Sequence, residues 1–465
     1  MKEHGERPVG ERSVSKAASI QAGVGSDLEA LAEHVLAYAR RGGAEEAAVQ
    51  VGRSRFIEVR RRQGEIERLR ASTSRGLSLA LFVDSRFSTN ATSVLDRRAV
   101  ERFVDEVLAM THHLHKDPCR RLADPELYGP TACDDLELDD AAYDAMTMDE
   151  RLAVVEHVES AAHGVQSLEG AIVSVASGIV TQASAGLHFH SNGFRGARGG
   201  TRFSFGASVT VRGEGERRPS DSAWVGARQR GDLPDVAAVG AEATRRAERR
   251  VGAHKIPSGR MDLVVENRAA GKILGSLLAS LSGHALQQRR SCLEDRLGDA
   301  IGSPLLDLVD NPLIARGFAS RTFDGDGLAS RRRVLFEAGV LRSYLIDVYY
   351  GCKLGRSPTG GSTSNLILAP GEGDLAALIT PVSRGVLVTG FLGGNSNAAT
   401  GDFSFGISGQ AIVNGEEAGP VGEMNITGNH LQLWKRLVAV GGDPYPYSAW
   451  RLPSLRFADV QFSGA

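Results

Sequence analysis

Residues 385–419 read GVLVTGFLGGNSNAATGDFSFGISGQAIVNGEEAG. Apolar and small residues alternate with period two, and glycine and asparagine interrupt them, which is the pattern of short antiparallel strands and tight turns. The same texture continues to SLRFADVQFSG at 454–464 and begins before it with the strand MDLVVEN at 261–267. Between them lies a single apolar segment of helical period, AAGKILGSLLASLSGHALQQR at 269–289. The spacing predicts a large, mostly antiparallel β domain over 253–465 that carries one buried helix. Glycine supports this: 55 of 465 residues, about 12%, against about 7% in ordinary proteins.

The first half reads differently. A helix LEALAEHVLAYARR (28–41) is expected to be capped by Asp27 and ended by Gly42-Gly43. Strand patterns follow over 47–72 and 76–91, then a helix from Leu95 to Thr111. The polar stretch from His112 to Met146 reads as a linker. Helix 149–163, strands over 171–229 with Asn192-Gly193 and Gly199-Gly200 turns, and helix 234–253 complete the half. Helix, strands, helix thus occurs twice, which suggests a diverged structural repeat. The fold class is α+β: a flexible arm (1–25), an N-terminal α+β domain (26–130), a central α+β domain (131–252), then the β-rich domain.

With 54 Lys+Arg against 56 Asp+Glu the net charge is −2, so a binder driven by phosphate contacts is not expected. No apolar run has the ~20 residues of a membrane span, and residues 1–25 have no apolar stretch for a signal peptide. A cytoplasmic location is expected. Cys119, Cys133, Cys292 and Cys352 are scattered, so neither a disulfide framework nor a thiolate zinc site is expected.

There is no HExxH, no GxSxG, no Walker A and no strict GxGxxG. GEGDLA (371–376) lacks the strand–turn–helix context of a nucleotide site. His112, His113 and His115 precede Cys119, and His188 and His190 share one face of a strand. Either set could supply zinc ligands, but neither is complete, and a solvated or interdomain role is the plainer reading. His284 sits late on the apolar helix and reads as a core histidine. One turn earlier stand Ala279 and Ser280, so neither a second imidazole nor a carboxylate base accompanies it. The loops at 356–365, 393–402 and 423–429 place Thr363, Asn365, Asn395, Asn397, Asn425 and Asn429 among glycines, which suits a groove for an extended peptide as well as ordinary turns.

These residues carry a family resemblance. The segments at 282–304, 316–355, SPTGGSTSNLIL (357–368), 386–416 and VGEMNITGNHLQLWKRLVAVGGD (421–443) resemble the TldD/PmbA family, on the branch also called TldE. ASTSRGLSLALFVDSRFSTNATS (71–93) and HSNGFRGARGGTRFSFGASV (190–209) do so in the first half. The resemblance covers roughly residue 30 to the C-terminus. It implies a cytoplasmic two-subunit protease acting on peptides or unfolded chains, associated with maturation of ribosomally made peptides, with antitoxin turnover, and with the older name modulator of DNA gyrase. In it the TldD subunit carries zinc on an HExxxH helix and a cysteine near its C-terminus. Here those motif positions hold Ala279, Ser280 and His284, and no cysteine follows Cys352. The resemblance therefore implies a subunit with no catalytic residues and no metal of its own. Its zinc would lie in an HExxxH-bearing partner, and the two would enclose a peptide held by strand addition. The alternatives are a homodimeric peptide-binding or chaperone-like module, or an independent hydrolase built on His188 and His190.

Overall fold

The structure is a computed structural model and describes residues 25–129, 135–165 and 171–465. The first half forms α1 (Ser26–Arg41), β1 (Glu46–Arg62), β2 (Glu65–Val83), β3 (Arg86–Thr92) and α2 (Arg97–Thr111), then α3 (Met148–His163), β4 (Ile172–His190), β5 (Arg195–Val211), β6 (Ser220–Ala227) and α4 (Val236–Glu248). The six strands make one sheet in the order β3-β2-β1-β4-β5-β6. The repeat read in the sequence is present: two helix–three-strand–helix units meet where β1 pairs antiparallel with β4, Val51 opposite Leu187. The boundary placed at residue 130 falls between two halves of a single sheet. Joining them covers what would otherwise be two open strand edges.

Strand alternation decides what each face does. Val49, Val51, Leu187 and Phe189 pack under α1 and α2, and Val59, Val175 and Ile179 under α3 and α4. All four helices therefore lie on one face. The even-numbered residues of β4 and β5, among them His188, Arg198 and Arg202, occupy the other. Asp96 caps α2 by accepting from the Ala99 amide at 3.2 Å, and Thr147 with Glu150 forms a capping box on α3. The cap expected from Asp27 is not made. The helix begins at Ser26, and Asp27 lies in its first turn.

The second half runs through β7 (Gly259–Val265), α5 (Ala270–Leu278), α6 (Gly283–Gln287), β8 (Leu308–Asp310), β9 (Arg333–Glu337), β10 (Val340–Leu341), β11 (Leu366–Leu368), β12 (Arg384–Phe391), β13 (Asn395–Ser396), β14 (Asp402–Val413), β15 (Glu416–Asn429), β16 (Leu437–Val440), β17 (Trp450–Arg451) and β18 (Leu455–Ser463). β7, β12, β14, β15 and β18 close into a barrel through the β12–β14 and β18–β7 pairings. Closure depends on Gly409. A Cβ there would stand 1.8 Å from the Leu387 carbonyl oxygen across β12, so no side chain fits. A smaller sheet, β10-β9-β8-β11-β17, stands beside it. Ile273, Leu274, Leu277 and Leu278 of α5 pack with Leu263, Val388, Phe405 and Phe457 of the barrel in one core.

The apolar helix read over 269–289 is not continuous. A 3-10 turn at Ala279–Leu281 breaks it, and Ser282 restarts it by capping Ala285 at 3.2 Å. Ser282-Gly283 favours a new N-terminus over a helix interior. A second correction concerns cysteine: Cys119 is disulfide-bonded to Cys352, 233 residues away. The spacing hid this pair because the fold alone brings it together, and it ties Cys119, within the polar stretch read as a linker, to the second half. The arm, all but Gly25, and Cys133 lie outside the described residues. Among the described residues no helix is long and apolar enough to cross a membrane.

Candidate functional site

The motif positions sit at the break between α5 and α6. Ser280 is buried, and its hydroxyl donates to the Ala398 carbonyl at 3.1 Å. Ala279 and His284 are exposed, and the His284 ring faces Tyr350 at 5.8 Å. His284 is thus not the core histidine that its apolar neighbours suggested. It points outward because the helix restarts in a new phase. Neither Ala279 nor Ser280 offers a metal ligand, and among the described residues no three of His, Cys, Asp and Glu are grouped to hold an ion. The zinc that the resemblance places on the TldD subunit's HExxxH helix does not fit the residues at these positions.

The polar loops separate into two places. The Ser280 contact brings the 393–402 loop onto the motif, where the Cys292 amide also donates to the Ala398 carbonyl at 2.8 Å. Asn395, Asn397 and Asn425 are exposed. The Asn397 side-chain oxygen accepts from Ala399, and Asn429 donates to Thr400 and Asp402 while capping the following helix. Thr363 and Asn365 belong elsewhere. Asn365 is buried, donating to Asn311 and Ser320 and accepting from Ala319, so its amide is spent inside the chain. The Thr363 carbonyl accepts from Arg321.

The metal readings of the other histidines also resolve. His112, His113 and His115 are exposed, and the sulfur of Cys119 is committed to its disulfide. His188 and His190 do converge on one face, their Nε2 atoms 2.9 Å apart, and both rings are buried. His190 Nδ1 shares a hydrogen bond with the Tyr128 hydroxyl at 2.9 Å, and Phe194 and Phe323 close around the pair. Burial first, and then mutual repulsion with His190, holds His188 down at about 3. Burial and Arg195 hold His190 at about 4. Both rings are therefore neutral at pH 7. Since each folded pKa lies below the ~6.5 of a free histidine, their stabilising effect is complete above pH ~6.5 and is lost as pH falls toward 4. Urea denaturation should show stability dropping between pH 6.5 and 4.5, by up to about 1.4 kcal/mol per pH unit per ring. His430, also held at about 4 by burial, adds to the same slope, while Asp326, pushed up to about 6 by burial, works against it below pH ~6. A His188→Gln/His190→Gln double variant should flatten the slope in part; an unchanged slope would contradict this assignment.

Beside this pair opens a cavity of about 1360 Å³, larger than the ~300–1,000 Å³ of small-molecule sites. Its floor is the helix-free face of the sheet, and the 318–329 segment of the second half forms its wall. Gly196 permits that contact, since a Cβ there would meet the Phe323 ring at 2.6 Å. Across the floor Gly76, Gly52 and Gly186 stand in register on β2, β1 and β4. Sequence reasoning missed this site. The one usable signal was strand parity, which puts Arg198 and Arg202 on the face of His188 and His190.

Two spans of the chain match known domains: residues 136–251 the PmbA/TldA metallopeptidase central domain, and 258–464 the PmbA/TldA metallopeptidase C-terminal domain. A Bacteroides thetaiotaomicron crystal structure, described as a candidate modulator of DNA gyrase, is 38% identical with TM-score 0.91, covering 94% of this chain and 99% of that one. The chain belongs to the PmbA/TldD family. Metalloprotease PmbA of Escherichia coli O157:H7 is 27% identical over 91% of this chain and 93% of its own length. TldE from Thermococcus kodakarensis shares the fold at TM-score 0.81 and 20% identity, covering 93% of this chain and 100% of that one. The PmbA/TldE branch of the family is thereby supported.

Proposed function

We propose that this chain is the non-catalytic subunit of a TldD/TldE-like cytoplasmic metalloprotease that processes peptides and unfolded chains. The observation that carries the reading is the motif site itself. Where HExxxH would present two imidazoles and a carboxylate, there is an exposed Ala279, a buried Ser280 bonded to Ala398, and a lone His284. At these positions there is neither a carboxylate base to activate water nor a set of ligands to place a Lewis acid. Its contribution is shape. The 393–402 loop, which flanks the motif, exposes Asn395 on β13 with Asn397 beside it, offering polar groups and strand backbone to an extended peptide.

The test is affinity capture of the tagged full chain from its own cell. Recovery of a near-equimolar HExxxH paralogue is the expected result. Recovery of the chain only with itself would overturn the heterodimer and favour a self-associating peptide-binding module.

A further inference from the structure

We propose that the cavity between the sheet and the 318–329 segment is a carboxylate-recognition site for the peptide that this protein handles; the inference rests on the peptide-handling reading above. Four arginines, Arg198, Arg202, Arg228 and Arg321, line the cavity on the helix-free side of the sheet, together with the acidic Asp135 and Asp139. Buried cations normally have partners that offset them. Here Arg202 stands against Arg228 and Arg321 against Arg198, with the Asp324 carboxylate beside both Arg198 and Arg321 and that of Asp310 beside Arg321. Burial lowers the Arg228 guanidinium to about 10, and Arg202 adds to it; burial lowers Arg198 to about 10, and Arg321 adds to it. Arg228 and Arg198 both remain charged at pH 7.

Their forks are held in place. Arg228 donates to the Phe318 carbonyl at 2.9 Å and to Thr201 at 3.3 Å. Arg198 donates to the carbonyls of Phe323 and Asp324. Arg321 donates to Ser362 and Thr363. Yet the Nε atoms of Arg228 and Arg321 are buried without a partner. A planar anion satisfies such forks in bidentate fashion.

The surroundings favour a carboxylate on a peptide over a nucleotide. The two aromatic rings nearest the cluster are already covered on one face: the Arg202 guanidinium lies 4.1 Å over Phe318, and that of Arg198 4.1 Å over Phe323. Stacking of a base on them would compete with these cations. The floor instead carries Gly52, Gly76 and Gly186 together with Ser54, Ser74 and Ser184, which allow another backbone to approach and form hydrogen bonds. The carboxylate could be a peptide's C-terminus or an Asp or Glu side chain.

The experiment is calorimetric titration of the full chain with an acetylated Ala/Ser octapeptide in three forms: with a free C-terminal carboxylate, with a C-terminal amide, and as the amide with one central Glu. At least one carboxylate form should bind about tenfold or more tightly than the plain amide, and which form does so names the source. Arg202→Gln should erase that preference, and Arg202→Lys should keep part of it. Equal binding of all three forms would overturn the inference while leaving a peptide-binding chain. Binding of none would also overturn it, because the site lies wholly within this chain; capture of the paralogue would then still stand or fall separately. Inorganic phosphate competing as strongly as the peptide carboxylate would show a general anion site and contradict the proposal. If Arg202→Gln lowers the thermal midpoint, the three-peptide comparison on the unaltered protein decides the question by itself.

Discussion

Asp310→Ala is expected to lower the unfolding free energy by about 3–5 kcal/mol, the cost of stripping one partner from a buried ion pair. Asp310 on β8 is 3% exposed, and its Oδ2 accepts from Arg333 at 2.8 Å. Its other oxygen accepts from the amide of Ser364 at 2.6 Å and from its hydroxyl at 2.5 Å. Arg333 in turn donates to the carbonyls of Thr359, Gly360 and Ser362. The carboxylate thus organises the 356–365 loop. Without it, the Arg333 charge loses its buried counter-ion and the Ser364 donors are left unsatisfied. Asp310→Asn should cost less, since an amide oxygen can still accept from Ser364, but its NH2 would oppose Arg333. Equilibrium denaturation measures both, and a loss under about 1 kcal/mol for Asp310→Ala would show that this loop tolerates rearrangement. The loop also supplies Ser362 and Thr363 to Arg321, so the same substitution should weaken peptide binding in the arginine cavity.

The second large effect lies in the reconstituted pair. If the catalytic groups belong to the HExxxH paralogue, replacing that motif's glutamate by Gln should cut peptide hydrolysis by about 10²–10⁴-fold, the usual worth of a general base. His284→Ala in this chain should leave the rate within about twofold. His284 is exposed and stands beside Tyr350, away from any cluster of ligands among the described residues. A loss with His284→Ala comparable to the glutamate change would mean that this histidine reaches the reaction.

Local pattern made much of the fold legible. Alternation over 385–419 and 454–464 marks barrel strands, and the apolar spacing within 28–41 marks a helix face on which Leu28, Val35 and Leu36 are buried and Leu31 half-buried. The repeat was legible from element order. What escaped were consequences of distance along the chain. The β1–β4 pairing merges two units, Gly409 against Leu387 closes a barrel, and Cys119 meets Cys352; each joins residues whose local context says nothing about the partner. The helix break at 279–282 escaped because its apolar residues hold helical spacing on both sides. At the site, the substitution of Ala279 and Ser280 for ligands was visible at once. The arginine cavity was not, because Arg198, Arg202, Arg228 and Arg321 come from separated segments and each reads alone as an ordinary surface charge.

In the proposed pair, catalytic metal belongs to the partner alone. The most direct test of this is zinc content per chain, measured by elemental analysis on the isolated full chain and on the purified pair after dialysis. The expected result is substoichiometric zinc in the isolated chain and one zinc per pair, abolished by changing the paralogue's HExxxH histidines and untouched by His284→Ala. One tightly held zinc in the isolated chain, lost with His284→Ala or with the His188/His190 double variant, would contradict it.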